Sequence, residues 1–401
     1  MSRTLLKNTP SDAWLADAKN QAAIERLYLH FPHCQKRCHY CDFYVVEKAA
    51  DPDTVLDDFL SSILRELDST QGLLAPSLKS IYFGGGTPSL YGPSRIGRVL
   101  EAVKGRISDK TEVTLELNPD SLGDQIQQAL LEYQKSGINR MSVGVQSLCQ
   151  AQLSWLDREH SAKQAIETLK SACKIFPKVS CDFLLGVPGV AAGDLIANLE
   201  NVLDQVPKIG QFTTYPLTLK EGNPKYRELP TSDLVADQME AVAEFLESKG
   251  FNRYEVGSYA KHGQESDHNQ AYWTGEGYLG LGPSASSFFP KLGDYGVRKK
   301  NSASLAAYEQ GLQKHPIPNS EIEELDIEDS KIEFLYTRLR SKRGLDLGQF
   351  QYLFDEDLLF RIKNLGLIEA GFLAVDSSKN LLQMTPRGWN LMDEVLGKII
   401  T

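Results

Sequence analysis

The 401-residue sequence has few cysteines, no long apolar run and no excess of basic residues. Six cysteines in a chain of this length are not a disulfide framework, so we expect a reducing compartment. No apolar segment reaches the roughly 20 residues that span a bilayer, and residues 1–25 lack the apolar core of a signal peptide. The net charge of −10 argues against a general nucleic-acid surface. These absences predict a cytoplasmic globular protein with at most peripheral membrane contact and no nucleic-acid partner.

Three of the six cysteines are clustered, and this clustering predicts a metal site. Cys34, Cys38 and Cys41 have the spacing C-x-x-x-C-x-x-C, whereas the other three are scattered singly. Three thiolates on one short loop can hold three irons of a 4Fe-4S cluster and leave the fourth iron open for a small chelating ligand. A zinc loop is the alternative, although no second pair of Cys or His residues follows at the spacing of a zinc site.

Short apolar runs alternate with amphipathic helical segments, which is typical of repeated β-α units around a mainly parallel sheet. Helical spacing of apolar residues predicts helices at 54–69 and 194–206. The fold class is therefore α/β, with six strands in a mainly parallel sheet. Six runs are predicted to be its strands: Arg26–Phe31, Lys79–Phe83, Glu112–Asn118, Arg140–Gln146, Val179–Leu185 and Gln211–Leu217.

Polar and glycine-rich segments follow the C-terminal ends of these strands, where parallel α/β barrels place their chemistry. The cysteine loop follows the first strand, and Gly84-Gly85-Gly86-Thr87 follows the second. A glycine run lets a ligand approach the backbone closely, although it is also typical of a tight turn. Glu116, Gln146 and Asp182 lie in or at the ends of later strands. Taken singly, each is also typical of a solvated loop or a helix N-cap.

In combination these motifs resemble the radical S-adenosylmethionine (SAM) superfamily, in its coproporphyrinogen dehydrogenase-like branch. The resemblance implies a partial (β/α)6 barrel of the TIM type. It also implies a 4Fe-4S cluster on the three clustered cysteines and SAM as a second cofactor. Arg158 follows Asp157, at which the family usually has glycine; a helix-start arginine is the alternative interpretation. The SAM-contacting residues that the resemblance implies are Tyr28, Tyr40, Gly85, Gly86, Thr87, Glu116, Gln146, Arg158 and Asp182.

The second informative segment is His268-Asn269-Gln270-Ala271-Tyr272-Trp273. From chemistry alone, a capping histidine beside two interface aromatics is the simpler interpretation, while imidazole is also a common axial ligand of heme iron. The H-N-x-x-Y-W pattern resembles the motif of the HemW-type heme chaperones. This resemblance implies heme as a third cofactor, with His268 as a candidate heme ligand. Ser286 stands where the family has histidine, so no ligand role is assigned there.

The last part of the chain resembles the family's small C-terminal winged-helix-like α+β domain. Helices are predicted at 331–341 and 355–364, followed by a hairpin at 372–384 and a final helix capped by Thr385. The acidic run 321–329 is interpreted as a solvated linker. The predicted division is an N-terminal extension (1–25), the radical SAM partial barrel (26–265), the HNxxYW segment and linker (266–330) and the C-terminal domain (331–401).

Two features of this sequence depart from the pattern of the dehydrogenases in this branch and favour a heme chaperone. The dehydrogenases typically have a fourth cysteine where this chain has Phe43, and a longer N-terminal arm than the 27 residues before Tyr28. The resemblance therefore implies a chaperone without catalytic residues, which binds heme, transfers it to acceptor hemoproteins such as respiratory enzymes, and dimerises when it holds its cluster. The alternatives are a radical SAM coproporphyrinogen III dehydrogenase, which oxidatively decarboxylates propionates in heme biosynthesis, and a radical SAM enzyme with another substrate.

Overall fold

The computed structural model describes residues 5–6, 23–47, 52–123 and 125–400, so most of the predicted N-terminal extension lies outside the described residues. Its largest sheet has nine strands. Six of its parallel strands confirm the predicted barrel strands to within one or two residues at each end. These first to sixth barrel strands are Arg26–Phe31, Ser80–Gly85, Glu112–Leu117, Arg140–Gln146, Lys178–Leu185 and Gln211–Pro216.

Amphipathic helices cover the outer face of this sheet. Both predicted helices are confirmed, at Pro52–Thr70 and Ala192–Gln205, and their apolar residues pack on the main hydrophobic core. Each returns the chain to the start of a neighbouring parallel strand, as the β-α pattern requires. The other long helices of this layer are Gly92–Ala102, Ile126–Lys135, Ala162–Ile175 and Ser232–Ser248.

Three further strands extend the sheet at its two edges. The hairpin formed by Asn252–Glu255 and Ser258–Ala260 pairs antiparallel with the sixth barrel strand, and Leu279–Leu281 pairs parallel with the first. The strand order is linear, with this hairpin at one edge and Leu279–Leu281 at the other. The barrel is therefore a partial one, as predicted.

The inward-facing residues at the N-terminal end of the barrel are polar. Arg140, only 1% exposed, donates to Gln211 Oε1 at 2.8 Å, and Lys178 Nζ lies 3.1 Å from Glu112 Oε2. Buried charges are tolerated where each has a hydrogen-bonding or oppositely charged partner. The helix Asp267–Trp273 closes this end, because Glu112 Oε1 accepts the N–H groups of its first two residues.

A second, antiparallel sheet contains part of the segment that was interpreted as a linker. Ser320–Glu324 pairs with Val297–Asn301, which in turn pairs with Ser286–Phe289; Leu5–Leu6 adds to the other edge. The linker interpretation is wrong here, because Ile322 between two glutamates alternates inward and is only 7% exposed. A strand with one buried face needs only such alternation, even in an acidic run.

The C-terminal residues have a hydrophobic core of their own. The predicted hairpin is confirmed, and Thr385 Oγ1 accepts the Gly388 N–H at 3.0 Å, which confirms the predicted cap. The helix Leu347–Phe354 was not predicted. The remaining helices are Ile327–Leu339, Leu358–Asn364, Pro386–Asn390 and Met392–Ile400, and the three-stranded sheet consists of Leu345–Asp346, Leu373–Asp376 and Leu381–Met384.

A buried ion pair joins the helix Pro52–Thr70 to the second sheet. Lys299 Nζ lies 3.6 Å from Glu66 Oε1, and the two side chains are 2% and 0% exposed. Tyr308 and the Gly282 N–H donate to the other oxygen of Glu66, at 2.7 and 2.8 Å. Asn301 Nδ2 completes the set by donating to Oε1 at 2.8 Å. This carboxylate therefore has a partner on every side.

We expect Lys299→Met to lower the free energy of unfolding by about 3–5 kcal/mol, because Glu66 would stay buried without its counter-charge. Glu66→Gln in the same chain should restore part of that loss, since it removes the unpaired charge. Denaturant unfolding of the two single variants and the double variant measures this coupling. Strictly additive effects would contradict it.

Candidate functional site

The cysteine loop leaves the first barrel strand and is closed at its base by a short ladder. His33 and Cys34 pair in parallel with Val46 and Glu47. Burial raises the pKa of Cys34 to about 11, and the neighbouring thiols Cys38 and Cys41 act in the same direction. A thiolate here therefore needs positive charge, which cluster irons supply. Within the described residues, no three His, Cys, Asp or Glu side chains are grouped as ligands of a metal ion.

The glycine segment packs directly on the base of the cysteine loop. A side chain at Gly86 would put its Cβ 2.8 Å from backbone atoms of residues 31–33. The Gly86 N–H donates to Phe31 O at 2.7 Å, and the Thr87 N–H donates to His33 O at 2.9 Å. The protein itself thus uses these amides. A ligand's ammonium group, which only donates, would have to be bound through oxygen atoms.

A chain of hydrogen bonds connects Arg158 to the first cysteine. Arg158 Nη2 donates to Asn118 Oδ1 at 2.6 Å, Asn118 Nδ2 donates to Thr87 Oγ1 at 3.0 Å, and that hydroxyl donates to Cys34 Sγ at 3.4 Å. Arg158 also donates to Gly144 O at 3.0 Å, while its Nε is buried without a partner. Asn118 was not among the predicted site residues, although its position at a strand end was the available signal.

Two non-glycine residues near the site adopt left-handed backbone conformations. Gln146 has φ 65° at the end of the fourth barrel strand, and Asp157 has φ 56°. The positive φ at Asp157 explains why the family usually has glycine at this position, since glycine adopts such angles without steric cost. Asp157 is among the residues that tolerate the conformation, and its carboxylate contacts the cysteine loop, with Oδ2 2.9 Å from His39 Nδ1.

Two of the predicted site residues, Glu116 and Asp182, have carboxyl groups that accept hydrogen bonds inside the barrel. Tyr82 donates its hydroxyl to Glu116 at 2.8 Å, and the Gly85 N–H donates to the other oxygen at 3.1 Å. Ser142 and Ser180 donate to Asp182, each at 2.8 Å. Burial raises the pKa of both carboxyl groups, that of Glu116 to about 7. Hydrogen bonds thus hold both carboxyl groups in place in the C-terminal halves of their strands.

An aromatic cleft of about 260 Å³ lies beside the end of the cysteine loop. Phe43, which is 65% exposed, forms part of it. Tyr28 also lies here, with its hydroxyl 3.1 Å from His30 Nδ1, and Tyr40 packs near the main core edge-on to His39. The cleft is lined by Tyr28, His30, Asp42, Phe43, Tyr44, Tyr272, Tyr278, Ser284, Ala285 and Ser286.

His268 lies at the opposite, N-terminal end of the barrel strands from the cysteines. Its Nδ1 is 2.7 Å from Ser80 Oγ and its Nε2 is 2.9 Å from the Tyr272 hydroxyl, so both ring nitrogens have partners. Burial lowers its pKa to about 3, which keeps the ring neutral. In this conformation no nitrogen of His268 is free for iron. Tyr272, which His268 holds, is the member of the motif that reaches the cleft.

The structure thus brings most of the predicted cysteine and SAM residues to one end of the barrel. His268 lies towards the other end, away from the cysteines, with its ring centroid 6.5 Å from that of Tyr28. Of the four tyrosines of the cleft, sequence reasoning singled out Tyr28 and Tyr272 and missed Tyr44 and Tyr278. The positions of these two depend on how segments far apart in the chain pack together. The available signal for Tyr278 was its place shortly after the H-N-x-x-Y-W motif.

Comparison with known proteins gives matches over most of the chain. Residues 28–202 match the Radical SAM superfamily. The heme chaperone HemW of Lactococcus lactis is 30% identical over 388 residues, which are 93% of this chain and 96% of that protein. HemW of Bacillus subtilis is 27% identical and covers 94% and 99%. A mitochondrial relative from Danio rerio, radical S-adenosyl methionine domain-containing protein 1, is 35% identical, and the match spans 64% of its length.

A solved structure confirms the fold. Coproporphyrinogen III oxidase (HemN) from Escherichia coli superposes with a TM-score of 0.82 at 20% sequence identity, covering 99% of this chain and 95% of that one. The predicted α/β class, with a radical SAM barrel and additional C-terminal α/β elements, is therefore correct. Among the described helices, none has the length and apolarity to cross a bilayer.

The raised pKa of Glu116 makes a pH dependence of stability measurable. Between about pH 4.5 and 7 the Glu116 carboxyl group is deprotonated in the unfolded chain but protonated in the folded protein. The free energy of unfolding should therefore fall as the pH rises. The fall is up to about 3 kcal/mol. Glu116→Gln should remove this part of the slope and stabilise the cluster-free protein at pH 7. Identical slopes for the two proteins in denaturant titrations would refute the assignment.

Proposed function

Because the chain belongs to the HemW-type heme chaperone family of the radical SAM superfamily, we propose that it binds heme and transfers it to acceptor hemoproteins such as respiratory enzymes. The observation that carries this proposal is the aromatic cleft beside the cysteine loop. A porphyrin is a flat apolar ring, and such rings gain free energy by stacking on aromatic side chains. Phe43, which is 65% exposed, adds an accessible ring to this cleft.

The proposed heme site uses the HNxxYW motif through Tyr272. His268 fixes the Tyr272 hydroxyl at 2.9 Å, and the Tyr272 ring packs edge-on against Tyr278 with centroids 4.6 Å apart. The motif thus supplies one of the cleft's aromatic walls, Tyr272, and this ring packs on a second wall, Tyr278. For His268 itself to bind iron, its Nε2 would have to exchange the Tyr272 hydroxyl for the metal.

The proposed resident cofactors are a 4Fe-4S cluster and SAM. Cys34, Cys38 and Cys41 would hold three irons, and the open iron would bind SAM, a reactive sulfonium that the reduced cluster can cleave. The Thr87 hydroxyl supports the Cys34 sulfur, while the buried Nε of Arg158 is a donor without a partner. A ligand that accepts a hydrogen bond from this donor would gain on the order of 1–3 kcal/mol of binding free energy. In the chaperone, both cofactors would serve assembly or regulation, and radical chemistry is not required.

Phe43 is the residue that favours the chaperone over the dehydrogenase. It stands where the dehydrogenases have a fourth cysteine, and its ring cannot ligate iron. Because the similarity to the coproporphyrinogen oxidase structure is 20% in sequence, it supports the fold and not that reaction. A cytoplasmic location and a homodimer that forms on cluster binding complete the proposal.

We expect the reconstituted protein to bind one heme and to release no decarboxylated product from coproporphyrinogen III with SAM and a reductant. Tyr272→Ala and His268→Ala should each weaken heme binding about three- to tenfold, since each removes or frees one aromatic wall. Tyr272→Phe should keep the wild-type Soret maximum. Tyr352→Ala, an exposed tyrosine of the C-terminal domain, is the matched control.

Each outcome of that titration has a meaning. A Soret shift in His268→Ala, without one in Tyr272→Phe, would make His268 an iron ligand. Turnover of coproporphyrinogen III without stable heme binding would refute the chaperone function.

Cys38→Ser should prevent anaerobic reconstitution, because serine is a poor ligand for iron in a cluster of this kind. Cys149→Ser is the matched control and should take up iron and sulfide as the wild type does, since Cys149 lies in a different loop. Iron and sulfide content with the visible absorption spectrum provide the readout. Full reconstitution of Cys38→Ser would disprove the ligand assignment.

A further inference from the structure

Two segments pack against the cysteine loop at His39. The first, residues 155–158, follows the fourth barrel strand, and the second, residues 220–228, follows the sixth. Between residues 35 and 45 the cysteine loop has no helix or strand of its own. Its conformation in this stretch therefore depends on contacts with its neighbours.

His39, which lies between Cys38 and Cys41, is held on three sides. Its ring packs edge-on against Trp155, with centroids 4.8 Å apart. Its Nδ1 is 2.9 Å from Asp157 Oδ2, and its carbonyl oxygen accepts a hydrogen bond from Asn223 Nδ2 at 2.8 Å. Side chain and backbone of the same loop residue are thus both fixed from outside the loop.

The two covering segments are also tied to each other. Lys225 Nζ lies 4.7 Å above the Trp155 ring and donates to the Trp155 carbonyl at 2.7 Å. Trp155 Nε1 donates to Glu228 at 2.6 Å, and Asn223 Oδ1 accepts the Lys225 N–H at 2.9 Å. A lysine over an indole ring is a favourable cation–π pair. The segments therefore act on the loop as one unit.

We propose that Trp155, Asp157, Asn223 and Lys225 form a collar that holds the cysteine loop in one conformation and shields the outer side of the bound cluster from water and dioxygen. This inference rests on the cluster in the proposed function. The collar residues are positioning residues, because they contact the cysteine loop at His39 and one another. A loop that opens exposes its cluster, and each lost collar contact raises the population of the open loop.

The collar can be tested through the lifetime of the cluster, without any activity assay. Wild type and variants are reconstituted anaerobically without heme, then exposed to air while the decay of the cluster's visible absorption is followed. Asn223→Ala and Trp155→Ala should lose the cluster about five to thirty times faster, as expected for the loss of one or two hydrogen bonds.

Conservative variants make the test sharper. Trp155→Phe keeps a ring against His39 but loses the bond to Glu228, so its decay rate should lie between those of wild type and Trp155→Ala. Lys225→Met removes the cation and the hydrogen bond to Trp155 and should accelerate decay. Lys163→Met is its matched control, because Lys163 is 84% exposed on a neighbouring helix and should leave the rate unchanged.

Thermal unfolding of the cluster-free proteins separates the collar from general stability. Faster cluster decay with an unchanged Tm supports the collar. If Trp155→Ala does not fold, Trp155→Phe and Lys225→Met allow the same comparison of decay rate with Tm. Decay rates within twofold of wild type, or faster decay that merely parallels a lowered Tm, would overturn it. Failure of the wild type to take up any cluster would overturn the proposed cofactor as well, and the heme titration remains an independent test of the chaperone function.

Discussion

The structure depends on the carboxylate of Glu112, which is buried in the polar interior of the barrel. Burial alone would raise its pKa, but Arg140 and Lys178 lower it, so that the group stays charged. One of its oxygens accepts the N–H groups of Asp267 and His268. A negative charge at the start of a helix is favourable, and this one fixes where the helix Asp267–Trp273 begins. Together with Ser266, whose side chain accepts the Asn269 N–H, this contact fixes where the HNxxYW motif begins.

The two ends of the barrel differ in how the charges of their carboxyl groups are compensated. At the N-terminal end, nearby cations lower the pKa of Glu112, and the helix Asp267–Trp273 closes the interior. At the C-terminal end, the pKa values of Glu116 and Asp182 are raised, and Gln146 and Asp157 have positive φ. Unsatisfied or strained groups are expected where a protein gives up stability to bind ligands. This contrast indicates a cofactor site at the C-terminal end of the barrel. The cysteine loop, whose spacing predicts such a site, lies at the same end.

The sequence predicted the parts of the molecule that depend on local patterns. Each barrel strand is a compact apolar run, and the cysteine loop is a spacing within eight residues. The helix Leu347–Phe354 was missed, because its buried face is carried by only three apolar residues at helical spacing in one short stretch. The strand Ser320–Glu324 was missed because net acidity obscured its alternation. The cleft could not be predicted, since it is lined by residues between positions 28 and 286 that meet only in the folded chain.

The spacing of the HNxxYW motif has a structural explanation that does not require iron. Residues four apart lie on one face of a helix, so His268 and Tyr272 can form their hydrogen bond while the ring of Tyr272 reaches the cleft. Trp273, one position further, points elsewhere: Arg340 of the C-terminal domain stacks on its ring at 4.8 Å, and Arg338 binds its carbonyl oxygen. One short helix thus joins the barrel interior, the cleft and the C-terminal domain. A histidine in this motif therefore influences the cleft through the tyrosine that it orients, whether or not it ever binds a metal.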